Sequence, residues 1–170
     1  MIRCQPLLSI PVGVVVERRK AKSPWTDFVW RPVAVLPGVP DTAPWTVLDG
    51  DNERTTFYAG GTTIELHRSE SAGYRNNLST GAALLWVVLH PTSGDPPYMI
   101  AAVTADPSEG EACTESAANL VETVTMPEPI RATVAEFVAH HYVEHTFVRR
   151  QRDRADPDVM APRIPVKERK

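Results

Sequence analysis

The stretch IPVGVVVERRKAKSPWTDFVWRPVAVL, residues 10–36, decides the fold. Residues 10–17 are dominated by β-branched side chains, which suit the pleated, half-buried surface of a strand, and their near-continuous apolar run predicts burial. Residues 18–24 are polar and supply a turn. From Trp25 to Leu36 the chain turns apolar again. A two-residue side-chain period sets Phe28, Trp30, Ala34 and Leu36 on one face and Val29, Val33 and Val35 on the other. Pro32 has no N–H to give to a ladder, so it belongs at a sheet edge or a bulge. The two segments therefore predict an antiparallel hairpin. The basic run Arg18–Arg19–Lys20 with Lys22 is expected at its tip.

Working outward, residues 37–53 read as a long irregular stretch anchored by Trp45. Residues 56–59 and 62–68 read as strands joined by a turn at Gly60–Gly61, because Thr62, Ile64 and Leu66 alternate with Thr63, Glu65 and His67. Ser69 is a candidate cap for a short helix to about Leu78, ended by Gly81. The apolar runs LLWVVL (residues 84–89) and MIAAVT (99–104) predict two further strands around a wide loop. Asp106 and Pro107 open a helix, as cap and first helical residue, that runs to about Ala118. Residues 121–126 give a last strand. Pro129 opens the longest helix, to about Val148, whose seam is Ile130, Val134, Phe137, Val138, His141, His145 and Val148. Hairpins take the place of the alternating crossovers that a doubly wound fold needs. The expected architecture is α+β: a curved, mainly antiparallel sheet built from hairpins, with short helices and a long C-terminal helix packed on it. Residues 1–150 form one domain, and residues 151–170 are expected to be a disordered basic tail.

Charge sharpens this division. The chain carries a net charge of −3, yet from Val148 onward eight Lys or Arg face four Asp or Glu, a net of +4 that leaves −7 for residues 1–147. An acidic body argues against nucleic acid as the partner. Sixteen prolines in 170 residues, against an average share of about 5%, predict short strands and much loop. Cys4 and Cys113 have no metal-type spacing and read as reduced thiols, which with interruptions at Pro6 and Pro11 in the N-terminal apolar stretch leads to an expected cytoplasmic location. No apolar run approaches the ~18 residues of a membrane span.

Chemistry concentrates in HHYVEHTFVRRQRDR, residues 140–154. On a helix, His141 and His145 stand one turn apart and could share a transition metal, with His67, His90 or a carboxylate as third ligand. The alternative is a pair of partly buried histidines with hydrogen-bond partners. The zinc-protease pattern HExxH is absent, because Tyr142 stands where the glutamate would be. Arg149, Arg150, Arg152 and Arg154 complement the helix dipole or grip an acidic partner protein; without interleaved aromatics they do not suit single-stranded nucleic acid. Gly60–Gly61 matches no phosphate-binding loop, and no GxSxG elbow exists. Cys113, beside Glu111 and Glu115, is a poor nucleophile. No catalytic constellation emerges.

IPVGVVVERR with SPWTDFVWRPVAVLPG, IELHRSE, YRNNL, VTADPSEGE, TVTMPE and FVAHHYVEHTFVRRQRDR together resemble the DUF3305 family of bacterial proteins, over nearly all of the chain up to Arg154. The resemblance implies a setting near formate dehydrogenase, and some members carry a name referring to molybdopterin-guanine dinucleotide biosynthesis. A guanylyltransferase of that pathway would need a Rossmann-type N-terminal Gly-rich loop. Here the one Ala–Gly–Gly, residues 59–61, lies well inside the chain without the expected Ser, Arg-Met-Gly or Lys. The expectation is a non-enzymatic accessory or adaptor protein, with a formate dehydrogenase or its maturation factors as partner. A metal-binding protein or enzyme using His141 and His145 is the alternative, and a molybdopterin nucleotide-binding protein the third.

Overall fold

The computed structural model describes residues 5–144. The chain runs through β1 (Leu8–Lys20), β2 (Phe28–Pro37), β3 (Thr46–Gly50) and β4 (Arg54–Leu66). A 3₁₀ turn (Arg68–Glu70) and α1 (Ser71–Ser79) follow, then β5 (Leu84–Pro91), β6 (Tyr98–Thr104), α2 (Pro107–Thr114), β7 (Leu120–Thr125) and α3 (Glu128–His141). The class is α+β, as the hairpin pattern implies, but the strands form two antiparallel sheets rather than one. The first has the order β2-β1-β4-β3 and the second β6-β5-β7.

The opening hairpin forms as expected, with Lys20 opposite Phe28 and Gly13 opposite Leu36. Pro32 satisfies both of its conditions at once. It sits on an edge strand, and the register slips beside it, so that Val15 faces Ala34 while Val16 faces Pro32. That slip reverses the phase of β2, which is why Pro32 and Val35 are buried while Val33, Ala34 and Leu36 are only half-buried. β1 is the most buried strand of its sheet, buried from Val12 to Glu17, with β2 and β4 pairing along its two edges.

Gly60–Gly61 does not turn the chain. β4 continues through it, pairing with β1 from Arg19–Arg54 to Leu8–Leu66, and Gly60 adopts φ 133° where the register slips between Val14 and Val15. A backbone in that region favours glycine, so the pair serves a bulge rather than a hairpin. β3 lies within the stretch expected to be irregular. Its residues are all exposed, so no buried face marks it in the sequence. Trp45, just before it, is the expected anchor: its ring lies 6.1 Å from both Trp30 and Phe57.

Both sheets feed one core. Val12, Val14 and Val16 of β1, Ile64 and Leu66 of β4, and Leu85, Val87 and Leu89 of β5 are fully buried in it. β4 runs against β6, and β2 against β7, with no ladder joining either pair. Ile130, Val134 and Phe137 of α3 close the core, and α3 lies beside α1. The seam of that helix is the expected one as far as His141. The helix then stops instead of reaching Val148: Tyr142 is extended at φ −74°, ψ 123°. There Arg75 of α1 meets it, donating to the Tyr142 hydroxyl at 3.0 Å and lying 4.6 Å above its ring. Ser69 does not cap α1 either; it falls inside the 3₁₀ turn, and Glu70 holds the cap position without a side-chain bond. Gly81, at φ 77°, stands just past the end of α1 as expected.

α2 begins at Pro107 behind Asp106, whose carboxylate accepts from the Ser108 N–H at 3.3 Å, and ends at Thr114. Its Gly110 presses on Trp86 of β5, where an added Cβ would overlap the root of the indole at Cβ, Cγ and Cδ1. Cβ is fixed by the strand, and clearing Cγ and Cδ1 would take a change of the Trp86 rotamer. Alanine would gain about 1 kcal/mol of helix propensity, but overpacking of this kind costs about 1–3 kcal/mol and occasionally more. Gly110→Ala is expected to lower the melting temperature, by roughly 2–4 °C per kcal/mol lost. A thermal unfolding curve at or above wild type would refute this contact.

Candidate functional site

Among the described residues the histidines do not gather into one site. His90 is exposed on β5, with Nδ1 2.9 Å from Asn119 Oδ1. His67 follows β4, with Nε2 3.8 Å from Glu65 Oε2. The His141 ring lies 4.5 Å from the Phe137 ring, tilted by 44°, and 6.5 Å from the His140 ring. His140 turns to its own helix, with Nδ1 2.8 Å from the Glu136 carbonyl oxygen. Among the described residues no group of three or more His, Cys, Asp or Glu could hold a metal. The one-turn spacing of His141 and His145 presumes a helix that ends at His141. His145 lies outside the described residues, as do Arg149, Arg150, Arg152 and Arg154.

The basic hairpin gives a more organised site. Arg18, Arg19 and Lys20 belong to β1 itself; the turn lies beyond them, closed by the Ala21 N–H to Asp27 carbonyl bond at 2.9 Å. The two-residue period then splits the run between faces. On one face Arg18 stacks 4.4 Å from the Phe28 centroid and also covers Trp30 and Phe57. On the other, Glu17 and Arg19 stand two residues apart, with Arg31 opposite Glu17 on β2 and Arg54 opposite Arg19 on β4. Directly opposed residues share a face, so the register gathers three guanidinium groups round one carboxylate.

Glu17 is 5% exposed. Arg19 Nε meets its Oε1 at 2.7 Å, a charge-assisted hydrogen bond. Arg31 Nε and Arg54 Nε stand at 3.6 Å, within attraction but beyond a good hydrogen bond. One pair satisfies the buried carboxylate, and the three guanidinium groups exceed it by two charges on side chains more than half exposed, with Asp51 also attracting Arg54. Val29, opposite Arg19, is exposed beside them, and Trp25 at the turn is 92% exposed. Exposed tryptophan and arginine side chains are the residue types enriched at the energetic centres of protein interfaces. The sequence shows Glu17 as the end of an apolar run; only the register across three strands reveals its role.

A second feature is an acidic groove of about 600 Å³ between β4 and β6. Glu65, His67, Ser69, Glu70 and Glu109 line it, and no lysine or arginine does so among the described residues. Glu70 accepts from the Tyr74 hydroxyl at 2.7 Å and Glu109 from Thr104 Oγ1 at 2.6 Å. Behind it, burial pushes the Asp106 carboxyl above its ordinary value, the Ser108 and Glu109 backbone N–H groups pull it partly back, and the Glu109 charge adds to the rise. A carboxyl raised on folding binds its proton more tightly in the native state, so its contribution is present at low pH and lost as pH rises through the folded value. Asparagine caps a helix as well as aspartate does. Asp106→Asn is therefore expected to gain stability relative to wild type as pH rises from the acid range to neutrality. Melting curves across that range would show a constant difference if the cause were otherwise.

No helix among the described residues is long and apolar enough to cross a membrane. No curated protein and no solved structure matches the sequence. Residues 11–152 match the family described as "Protein of unknown function (DUF3305)". That match runs from within β1 through α3 and includes every arginine of the cluster round Glu17, and the chain belongs to the DUF3305 family.

Proposed function

We propose that the protein is a non-enzymatic accessory protein that acts by contact with an acidic partner, in a formate dehydrogenase or molybdoenzyme setting. The observation that carries the reading is the cluster of Arg19, Arg31 and Arg54 around Glu17, two charges in surplus and next to exposed Val29. Guanidinium groups held by neighbouring strands lose little freedom when they meet carboxylates, and their planar forks suit them bidentately. The setting rests on the family resemblance, and a formate dehydrogenase or its maturation factors are the expected partners.

Arg31 and Arg54 allow a clean test, because removing them leaves the Arg19–Glu17 bond intact. Both pairs share the buried Glu17, which keeps its Arg19 bond, and the two arginine ends are half-exposed and beyond good hydrogen-bond distance. Arg31→Ala with Arg54→Ala should therefore leave the fold in place, at a cost somewhat above the ~1 kcal/mol of a fully exposed pair. Tagged full-length protein is expected to co-purify with a formate dehydrogenase or a maturation factor, identified by mass spectrometry. The double variant should retain about a tenth as much or less, which corresponds to about 1.4 kcal/mol. Equal retention would remove the arginine surface from the contact.

A further inference from the structure

The acidic groove has an unusual wall. Thr62 and Thr63 line it from β4, and Ala101, Ala102 and Val103 from β6. Consecutive strand residues point to opposite faces, so a wall made of neighbours is a strand edge rather than a sheet face. The ladders agree. β3 pairs with β4 only from Thr55 to Tyr58, so the later half of β4 pairs with β1 alone, and β6 is the outer strand of its sheet. Both edges carry backbone N–H and C=O groups beyond their ladders, a template for another extended segment.

The described chain ends beside this groove. His141, Tyr142 and Val143 share a cavity with Arg68 and Ser69, and Ser69 also lines the acidic groove. Residues 145–170 then follow, with eight Lys or Arg against four Asp or Glu. Arg149 comes five residues after Glu144, a reach of at most about 18 Å for extended chain.

We propose that the groove between β4 and β6 is the docking site for this chain's own basic segment, with Arg149, Arg150, Arg152 and Arg154 set against Glu65, Glu70 and Glu109. Charge complementarity, the place where the described chain ends and the free strand edges select this occupant. The arginines supply attraction and the edges supply backbone hydrogen bonds, the division of labour seen in strand addition.

Hydrogen exchange on the full chain tests it. In the variant Arg149→Glu, Arg150→Glu, Arg152→Glu, Arg154→Glu, amides in residues 99–104 should exchange about tenfold faster or more than in wild type, the response to losing about 1.4 kcal/mol of docking. Amides of β5, deep in the core, should not change, which separates undocking from unfolding. Adding Glu65→Lys to that variant should restore part of the protection. Identical exchange in residues 99–104 of wild type and the arginine variant would overturn the proposal. Protection that grows with protein concentration, together with a dimer in sedimentation, would also overturn it and give the groove to a second copy.

Discussion

Asn77→Ala is expected to destabilise the fold by about 3–5 kcal/mol, since each buried backbone group left without a partner costs about 1–3 kcal/mol and the losses are shared among neighbours. Asn77 is 3% exposed at the end of α1. Its Nδ2 donates to the Leu84 carbonyl at 2.8 Å and to the Ala105 carbonyl at 2.9 Å, while its Oδ1 accepts from the Leu84 N–H at 3.0 Å. One side chain thus joins α1, the first residue of β5 and the segment between β6 and α2. Alanine would leave three backbone groups unpaired at a point where no ladder takes them up. Chemical denaturation would check this: a shift in midpoint without a change in slope is the expected form. A loss under about 1 kcal/mol would mean that water replaces the amide, and the account of this junction would fall.

Phe137→Ala is expected to cost a comparable amount, about 3–5 kcal/mol, the usual range for emptying an aromatic site in a core. Phe137 is 4% exposed and meets Tyr74 edge-on at 6.0 Å. Tyr74 is itself fully buried, donating its hydroxyl proton to Glu70 and accepting from the His67 N–H at 3.1 Å. Burial therefore raises the Tyr74 phenol well above its ordinary value. Removing Phe137 opens a cavity against that ring and frees the His141 imidazole that leans on it at 4.5 Å. Phe137→Leu, which refills much of the volume, should recover most of the loss, so the pair of variants separates packing from local helix effects. Equal losses for both would point away from cavity formation.

These two positions differ in how openly the sequence shows them. Phe137 lies on a helical seam with Ile130 and Val134, and periodicity alone places it inside. Asn77 carries no such mark, because its three bonds depend on how two sheets meet. The same divide runs through the molecule. The valine run of β1 and the proline of β2 announce a hairpin, and Asp106–Pro107 announces α2. Five exposed residues in β3 announce nothing, and Gly60–Gly61 satisfies a turn and a bulge equally well. The end of α3 is hidden for a further reason. No glycine or proline stops it after His141; the contact that Tyr142 makes once the helix has ended is with Arg75, 67 positions away.

The candidate site follows the same rule. Arg18 and Arg19 are visible as a basic run, but their assignment to opposite faces follows from the strand period once the turn is known to begin after Lys20. Arg31 and Arg54 lie 12 or more residues away in sequence, and only the antiparallel register brings them to Glu17. Histidines, by contrast, stand out in the sequence, and among the described residues His67, His90 and His141 form no metal-sized group.

The most direct test of the contact reading is the affinity of a partner recovered by co-purification, measured for wild type and for Arg31→Ala with Arg54→Ala at about 50 and about 200 mM salt, a range over which exposed charges are increasingly screened. The account predicts that wild type binds about tenfold tighter at low salt and that the gap narrows as salt rises. Equal affinities at both salt concentrations would contradict it.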